Sequence, residues 1–152
     1  MGGTSSEREV SLKSGENVYR ALDRGRDEFN PMRGEFSREK ELLDLVAGTD
    51  FVFNALHGGI GEDGTVQALL ELLDIPYTGT GPLGSAIAMD KLASKQGFHR
   101  ASISTPSYCE KKGESYEKFA KRAEKELSFP AIVKPKREGS SRGISVVEDR
   151  EE

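Results

Sequence analysis

Residues 51–64 read Phe51-Val52-Phe53-Asn54-Ala55-Leu56-His57-Gly58-Gly59-Ile60-Gly61-Glu62-Asp63-Gly64. The apolar part up to Leu56 is the best β-strand pattern in the chain, and a glycine-rich loop begins at His57. Apolar residues then recur at the spacing of a helix, namely at Val66, Leu69, Leu70 and Leu73. A strand that leads through a glycine loop into a helix is typical of an α/β fold.

The same alternation of helical and strand-like patterns continues on both sides of this segment. Ser6 and Glu9 have capping-box spacing, which predicts a helix that begins there and ends near Asp23. The inward stripe of that helix is predicted to contain Val10, Ser14, Val18 and Leu22. Further helices are predicted over residues 38–46, 66–73, 85–89, 92–99 and 116–127, and strands over residues 75–78, 131–134 and 144–147. We expect the last two strands to form a hairpin.

Composition excludes several classes of protein. The chain has 152 residues, a net charge of −4, one cysteine and two histidines. The acidic balance argues against a general binder of nucleic acid or of anionic membranes. One cysteine excludes an internal disulfide framework and a Cys-rich zinc site, and two histidines argue against a His-rich metal site. The absence of a long apolar segment argues against a membrane helix or a signal peptide, so a cytoplasmic protein is predicted.

A change of composition near Asp90 predicts two domains, residues 1–88 and residues 89–152. Both domains are expected to be incomplete. A glycine loop in a doubly wound sheet normally follows a strand, yet the chain opens directly on Met1-Gly2-Gly3. The hairpin and the single strand–helix unit of the second domain would need further strands to cover their apolar face.

Gly79-Thr80-Gly81-Pro82-Leu83-Gly84 matches the G-x-G-x-x-G pattern of dinucleotide-binding loops, after a strand and before a helix. The acidic residue expected about 20 positions further on is absent from residues 98–104, and Pro82 removes one backbone donor from the loop. The pattern is compatible with a dinucleotide site and with a structural turn, and we favour the structural turn.

The loop over residues 57–64 leaves a strand and enters a helix N-terminus, a place that favours anions. His57 offers a proton donor at the same position, and Glu62 and Asp63 are placed to cap the following helix. The alternative is a tight turn with a core histidine, and composition alone favours neither interpretation.

The loop over residues 134–143 is the third candidate. It begins at Lys134, at the end of a predicted strand, and contains the sequence Gly139-Ser140-Ser141. Backbone amides and hydroxyls in such a loop can bind phosphate oxygens. Positive charge comes from Lys134, Lys136, Arg137 and Arg142. The alternative is a solvated hairpin tip.

Five segments, taken in order, carry a family resemblance. They are Met1-Gly2-Gly3-Thr4-Ser5-Ser6-Glu7-Arg8-Glu9-Val10-Ser11-Leu12-Lys13-Ser14-Gly15, His57-Gly58 through Gly61-Glu62-Asp63-Gly64 to Val66-Gln67-Ala68, Pro76-Tyr77-Thr78-Gly79, Met89-Asp90-Lys91, and Val133-Lys134-Pro135 through Glu138-Gly139-Ser140-Ser141. Together they resemble the D-alanine–D-alanine ligases, which are ATP-grasp enzymes. The resemblance extends over residues 1–148. It favours the phosphate-binding interpretation of the loop over residues 134–143, and it removes the dinucleotide interpretation of residues 79–84.

The resemblance implies a Rossmann-like pre-ATP-grasp domain in residues 1–88, without its first strand, and an incomplete ATP-grasp (α+β) domain in residues 89–152. It also implies the reaction. ATP phosphorylates the carboxylate of one D-alanine, and the amine of a second D-alanine attacks the acyl phosphate, which yields a precursor of peptidoglycan. A non-catalytic binding or interaction module derived from such a ligase is the alternative.

Site residues follow from the same resemblance. Glu7 is expected to hold the ammonium group of the first D-alanine, His57 to assist at the reacting oxygens, and Ser140 to link its loop to Glu7. ATP is expected to contact Lys91, Lys134, Gly139 and Ser141. Arg142 stands where the family often has a small apolar residue.

The ligands of Mg²⁺ are expected in a further domain, so none is predicted in this chain, and the chain by itself is expected to be inactive. The partners implied are D-alanine and ATP, with neither nucleic acid nor membrane, and homodimers are frequent in the family.

Overall fold

A computed structural model describes residues 1–25 and 28–149 of the chain. The chain divides into two compact units, Met1–Ala88 and Met89–Glu152. Each unit combines short helices with paired extended segments. The α/β class predicted from the sequence is therefore confirmed.

The first unit contains four helices: α1 (Arg8–Asp23), α2 (Leu42–Val46), α3 (Thr65–Leu72) and α4 (Pro82–Met89). Short 3-10 turns at Glu39–Glu41 and Gly59–Gly61 precede α2 and α3. The strands predicted over residues 51–56 and 75–78 are each reduced to one paired residue, since the two segments are joined in parallel only at a bridge between Val52 and Tyr77. A second parallel bridge joins Gly2 and Phe36. Helices over extended parallel segments are what the glycine-loop pattern predicted.

The core of the first unit lies between the extended segments and the inner faces of α2 and α3. Its buried apolar residues are Phe36, Leu42, Val46, Val66 and Leu70. Leu70 is fully buried because it lies on the apolar stripe of α3, and Val66 precedes it by one helical turn. This packing fixes the start of α3, and with it the glycine loop that leads into the helix.

Helix α1 differs from the prediction at its start and along its inner face. It begins at Arg8 with Glu7 as the N-cap and no side-chain capping bond, so the capping box of Ser6 and Glu9 is wrong. The predicted apolar stripe is also wrong in part, because Val10 is 49% exposed whereas Ser11 is fully buried. Ser11 can be buried although it is polar, because its side chain forms a hydrogen bond with each of two neighbouring segments.

Ser11 joins α1 to both of those segments. Its Oγ accepts a hydrogen bond from the Gly2 backbone N–H at 2.8 Å and donates one to the Ala55 carbonyl at 2.7 Å. A buried backbone group left without a partner costs about 1–3 kcal/mol. Ser11 therefore stabilises the placement of α1 against the end of the segment that carries residues 51–56.

We expect Ser11→Ala to lower the free energy of unfolding by about 1–3 kcal/mol, because two buried backbone groups lose their partner. Urea unfolding followed by far-UV circular dichroism measures this change. Ser6→Ala is the control, since Ser6 is exposed and exposed substitutions usually stay within about 0.5 kcal/mol. Equal unfolding midpoints for the two variants would contradict the structural role given to Ser11.

The second unit contains α5 (Lys91–Arg100), α6 (Tyr116–Glu126), β1 (Ala131–Val133) and β2 (Ser145–Val147). The two strands are antiparallel, with Ile132 opposite Val146, which confirms the predicted hairpin. Helix α6 begins after Ser115, whose Oγ accepts a hydrogen bond from the Lys118 N–H. The hairpin matters for function because the loop between its strands is the third candidate loop of the sequence.

No helix within residues 1–25 and 28–149 combines the length and the apolar character needed to cross a bilayer.

Candidate functional site

The first cluster of functional side chains forms where the glycine loop approaches the start of α1. Glu7 is 6% exposed, although it is charged. Gly58 has a positive φ of 68°, and a Cβ added to it would lie 3.2 Å from Glu7 Oε1. The absence of a side chain at Gly58 therefore lets the loop backbone approach the Glu7 carboxylate. Two of the segments that carried the family resemblance thus meet at one point.

Ser5 connects the same two segments through hydrogen bonds. Its Oγ donates to the carbonyl of His57 and accepts a bond from the Glu7 backbone N–H at 3.1 Å. Gln67 and Asn54 hold the far side of the loop, since both side-chain amides donate to the Gly61 carbonyl, at 2.8 and 3.0 Å. The loop is therefore a fixed element rather than a loose turn.

The His57 imidazole contacts a side chain on each of its two nitrogens. Its Nε2 lies 3.0 Å from Ser14 Oγ, and its Nδ1 lies 3.8 Å from Glu62 Oε1. The side chain keeps 33% of its surface exposed, unlike a core histidine. His57 is accordingly an oriented, accessible proton donor or acceptor beside the buried Glu7 segment.

The two acidic residues predicted to cap α3 have different partners. Asp63 Oδ1 accepts a hydrogen bond from the Thr65 backbone N–H at 2.9 Å, at the start of the helix, as predicted. Glu62 instead faces His57, so that part of the prediction is wrong. The N-cap residue itself is Gly64, with a φ of 96° that glycine adopts without strain.

The second cluster lies in the second unit, where Asp90 and Lys91 contact the loop over residues 134–143. Lys91 Nζ donates a hydrogen bond to the Glu138 carbonyl at 2.6 Å, and its backbone N–H donates to the Lys136 carbonyl at 3.1 Å. Lys91 is thereby held next to Gly139, another predicted contact of ATP.

The Asp90 carboxylate lies close to two of the four cations in the loop over residues 134–143. Its Oδ2 lies 3.2 Å from Arg137 Nε and 3.5 Å from Lys136 Nζ. Lys134 and Arg142 are exposed, and neither forms an ion pair within the part of the chain that the structure describes. The charges of Lys136 and Arg137 are thus partly neutralised, whereas those of Lys134 and Arg142 are available to an anion.

The tip of this loop has an unusual backbone. Ser140 and Ser141 have φ angles of 49° and 57°, in the left-handed region that residues with a side chain rarely adopt. The Arg142 N–H donates to the Gly139 carbonyl at 3.0 Å and closes the turn. Strained residues of this kind are frequent at ligand-binding loops.

Asp90 also caps α5, since its Oδ1 accepts hydrogen bonds from the N–H groups of Leu92 and Ala93 at 3.0 and 3.1 Å. The bond from Ala93, together with Arg137 and Lys136, holds the pKa of Asp90 below its usual value. A carboxylate with a lowered pKa stabilises the fold above its unfolded-state pKa and loses that effect as pH falls through the folded-state pKa. We therefore expect the Asp90 contacts to be intact at neutral pH and to be lost only in acid, below about pH 4.

The two functions of Asp90 can be separated by substitution. Asp90→Asn keeps a good N-cap but loses the ion pairs, whereas Asp90→Ala loses both. Hydrogen exchange at Leu92 and Ala93 should be unchanged in Asp90→Asn and roughly fivefold faster in Asp90→Ala. Exchange at Arg142, whose N–H closes the loop tip, should be faster in both variants. Identical exchange in the two variants at Leu92 would mean that Asp90 does not cap the helix.

The predicted site residues thus fall into two groups. Glu7 and His57 belong to the first unit. The second unit contains Lys91, Lys134, Gly139, Ser140 and Ser141. The sequence interpretation missed three serines that hold the first cluster together, Ser5, Ser11 and Ser14. Glu7, Ser11 and Ser14 recur at one-turn intervals, and this polar stripe was the signal that could have identified two of them.

The loop over residues 79–84 is a structural turn. The Ser85 Oγ donates to the Thr80 carbonyl at 3.0 Å, and the Ser85 N–H donates to the Gly81 carbonyl at 3.0 Å. These bonds close the loop upon itself at the start of α4. The interpretation that the sequence favoured for this G-x-G-x-x-G match agrees with this geometry.

Residues 1–25 and 28–149 contain no cluster of side chains that could bind a metal ion. Among them no group of three or more His, Cys, Asp or Glu side chains is placed to hold an ion. The side chains present therefore do not fit a Mg²⁺ site by themselves.

Comparison with known families matches both parts of the chain. Residues 32–80 match the family model for the D-Ala-D-Ala ligase N-terminus, and residues 92–152 match the model for the D-Ala-D-Ala ligase C-terminus. These two matches define the class, which is a protein built from the domains of an α/β ligase.

Curated relatives and solved structures that are similar to this chain are D-alanine–D-alanine ligases, in agreement with the two family models. A D-alanine–D-alanine ligase of Dechloromonas aromatica is 47% identical over 151 residues, which are 99% of this chain and 48% of the relative. That of Geotalea uraniireducens is 45% identical over the whole chain and 47% of the relative. The crystal structure of the Bacillus anthracis D-alanine–D-alanine ligase superposes with a TM-score of 0.84 at 38% identity, over 98% of this chain and 48% of that one. The same Bacillus anthracis protein in a complex with ATP gives a TM-score of 0.78 at 36% identity, over 98% of this chain and 47% of that one.

The chain belongs to the D-alanine–D-alanine ligase family. It spans about half the length of the curated relatives that it matches.

Proposed function

We propose that this chain supplies the amino-terminal half of an ATP-dependent D-alanine–D-alanine ligase. In the proposed reaction a carboxylate oxygen of the first D-alanine attacks the γ-phosphorus of ATP, and ADP leaves. The amine of the second D-alanine then attacks the carbonyl carbon of the D-alanyl phosphate, and inorganic phosphate leaves with that carboxylate oxygen. The observation that carries the proposal is the buried Glu7 carboxylate held against the glycine loop that begins at His57.

Glu7 is proposed to bind the ammonium group of the first D-alanine. The negative charge of Glu7 is complementary to a substrate ammonium, and a side chain that is only 6% exposed would keep water away from that contact. His57, oriented by its contacts, is proposed to donate a hydrogen bond to the reacting carboxyl and phosphoryl oxygens. No protein nucleophile is needed, because ATP activates the carboxylate, so these residues act by positioning and by stabilising charge.

The second unit is proposed to bind the triphosphate. The charges of Lys91 and of Lys134, which has no ion pair among the described residues, would face phosphate oxygens, and the backbone of Gly139 and Ser141 would cover them. Ser140 is proposed to reach the Glu7 carboxylate during the reaction, a role that rests on the family resemblance alone. The left-handed loop tip supports a binding role over a solvated hairpin tip.

Further properties are proposed on the same basis. Mg²⁺, which accompanies ATP and neutralises its charge, would be held by the half of the relatives that this chain does not span. The dipeptide product would serve peptidoglycan synthesis in the cytoplasm, and the complete ligase would form a homodimer. The chain by itself would be inactive.

The test is a chimera in which this chain replaces the matching 151-residue segment of the Dechloromonas aromatica relative. The chimera, the parent ligase and the chain alone are assayed for D-alanyl-D-alanine with ATP, Mg²⁺ and D-alanine. We expect the dipeptide from the chimera and the parent but not from the chain alone. A folded but inactive chimera would favour a non-catalytic binding module, and dipeptide formation by the chain alone would refute its proposed dependence on the other half.

A further inference from the structure

The contacts of His57 distinguish its two ring nitrogens. Ser14 Oγ lies 3.0 Å from Nε2, within hydrogen-bond distance. Glu62 Oε1 lies 3.8 Å from Nδ1, too far for a direct hydrogen bond but close enough for a charge to act on it. One nitrogen is thus bonded to a helix side chain, and the other faces a carboxylate across a gap.

Ser14 is fixed by the helix on which it lies. It follows Glu7 by seven residues, two turns of α1, so both residues project from the same face. Ser11, between them, bonds the Ala55 carbonyl only two residues before His57. The helix and the segment that carries His57 are therefore held together independently of the contact between Ser14 and the imidazole.

The negative charge of Glu62 lies nearer to Nδ1 and therefore favours the neutral imidazole form that carries its proton on Nδ1. Nε2 is then an acceptor for the Ser14 hydroxyl. When the ring takes up a second proton, the same serine oxygen accepts the new Nε2–H. A hydroxyl both donates and accepts, so it can hold the ring in either state.

From this geometry we infer that Ser14 is a positioning residue of the ligase reaction, which occupies His57 Nε2 and leaves Nδ1–H as the donor to the substrate oxygens. The inference rests on the proposed function and deepens it. It assigns the proton that His57 presents to a particular atom, and it assigns a role to a serine that the sequence placed on an apolar stripe.

The direct test is nuclear magnetic resonance of the full chain labelled with ¹⁵N-histidine, which reports which ring nitrogen carries the proton. The only other histidine is His99, in the last turn of α5, and its signals serve as the internal reference. In the unsubstituted chain the proton should be on Nδ1 of His57. In Ser14→Val the ratio of the Nε2–H to the Nδ1–H form should rise roughly two- to tenfold, whereas Ser14→Thr, with the same shape and a hydroxyl, should keep the original ratio.

The second measurement uses the chimera. Ser14→Val should lower kcat roughly two- to tenfold with little change in KM for D-alanine, and Ser14→Thr should restore kcat. Unchanged His57 spectra in Ser14→Val, or a proton on Nε2 in the unsubstituted chain, would overturn the inference even if the chimera is active. An inactive unsubstituted chimera would refute the proposed function instead, and the spectra of the chain would still show whether Ser14 selects the protonated nitrogen.

Discussion

Glu7→Gln in the chimera is expected to lower kcat/KM for D-alanine by on the order of a hundredfold or more, because removing one member of a buried charge pair is strongly unfavourable. Glutamine keeps the shape of the side chain but cannot balance a substrate ammonium. The buried position of Glu7 beside Gly58 leaves little water to replace the lost charge. The loss should appear mainly as a raised KM for the first D-alanine, with KM for ATP nearly unchanged.

The matched control is Glu9→Gln, which makes the same chemical change two residues further along at an exposed position of α1. It should leave kcat/KM within about twofold of the unsubstituted chimera. Thermal unfolding of both variants separates a loss of binding from a loss of fold. If Glu7→Gln and Glu9→Gln gave the same kinetics, Glu7 would not be the ammonium ligand.

Lys134→Met is expected to raise KM for ATP roughly ten- to a hundredfold, the range for a lost hydrogen bond to a charged group. Lys134 is exposed and has no ion pair among the described residues, so its full charge is available to a phosphate. Methionine keeps much of the aliphatic length of the side chain. KM for D-alanine should change little, because the second unit is proposed to bind the nucleotide.

Lys136→Met serves as the control for Lys134→Met. Lys136 Nζ lies 3.2 Å from Glu110 Oε1 and 3.5 Å from Asp90 Oδ2, and these carboxylates raise its pKa. Its charge is therefore partly neutralised by the protein itself. We expect a severalfold smaller effect on KM for ATP than that of Lys134→Met. A larger effect for Lys136→Met would reverse the assignment of the two lysines.

The sequence predicted those parts of the fold that depend on local patterns. The apolar spacing from Val66 to Leu70 placed α3 correctly, and the alternation around Ile132 predicted the hairpin, because helical and strand periodicities are read directly from spacing. The helix predicted over residues 116–127 is likewise present, as Tyr116–Glu126. Each of these features is determined by residues close together in the chain.

Contacts between distant residues could not be predicted in this way. Ser11 and Ser14 look like interruptions of an apolar stripe until the structure brings them to Ala55 and His57, more than 40 positions away. Asp90 likewise pairs with Arg137, which lies 47 positions further along the chain. Polar contacts of this kind leave no periodic signal, and only the ordered motifs of a family pointed to the same segments.

The most direct measurement of the central claim follows the oxygen atoms of the substrate in the chimera. D-alanine labelled with ¹⁸O in its carboxylate is incubated with ATP, and the released phosphate is analysed by mass spectrometry. A ligase that forms D-alanyl phosphate transfers one carboxylate oxygen to phosphate for each dipeptide made, and this is the result we predict. Dipeptide formation with unlabelled phosphate, or with AMP and pyrophosphate as products, would contradict the account.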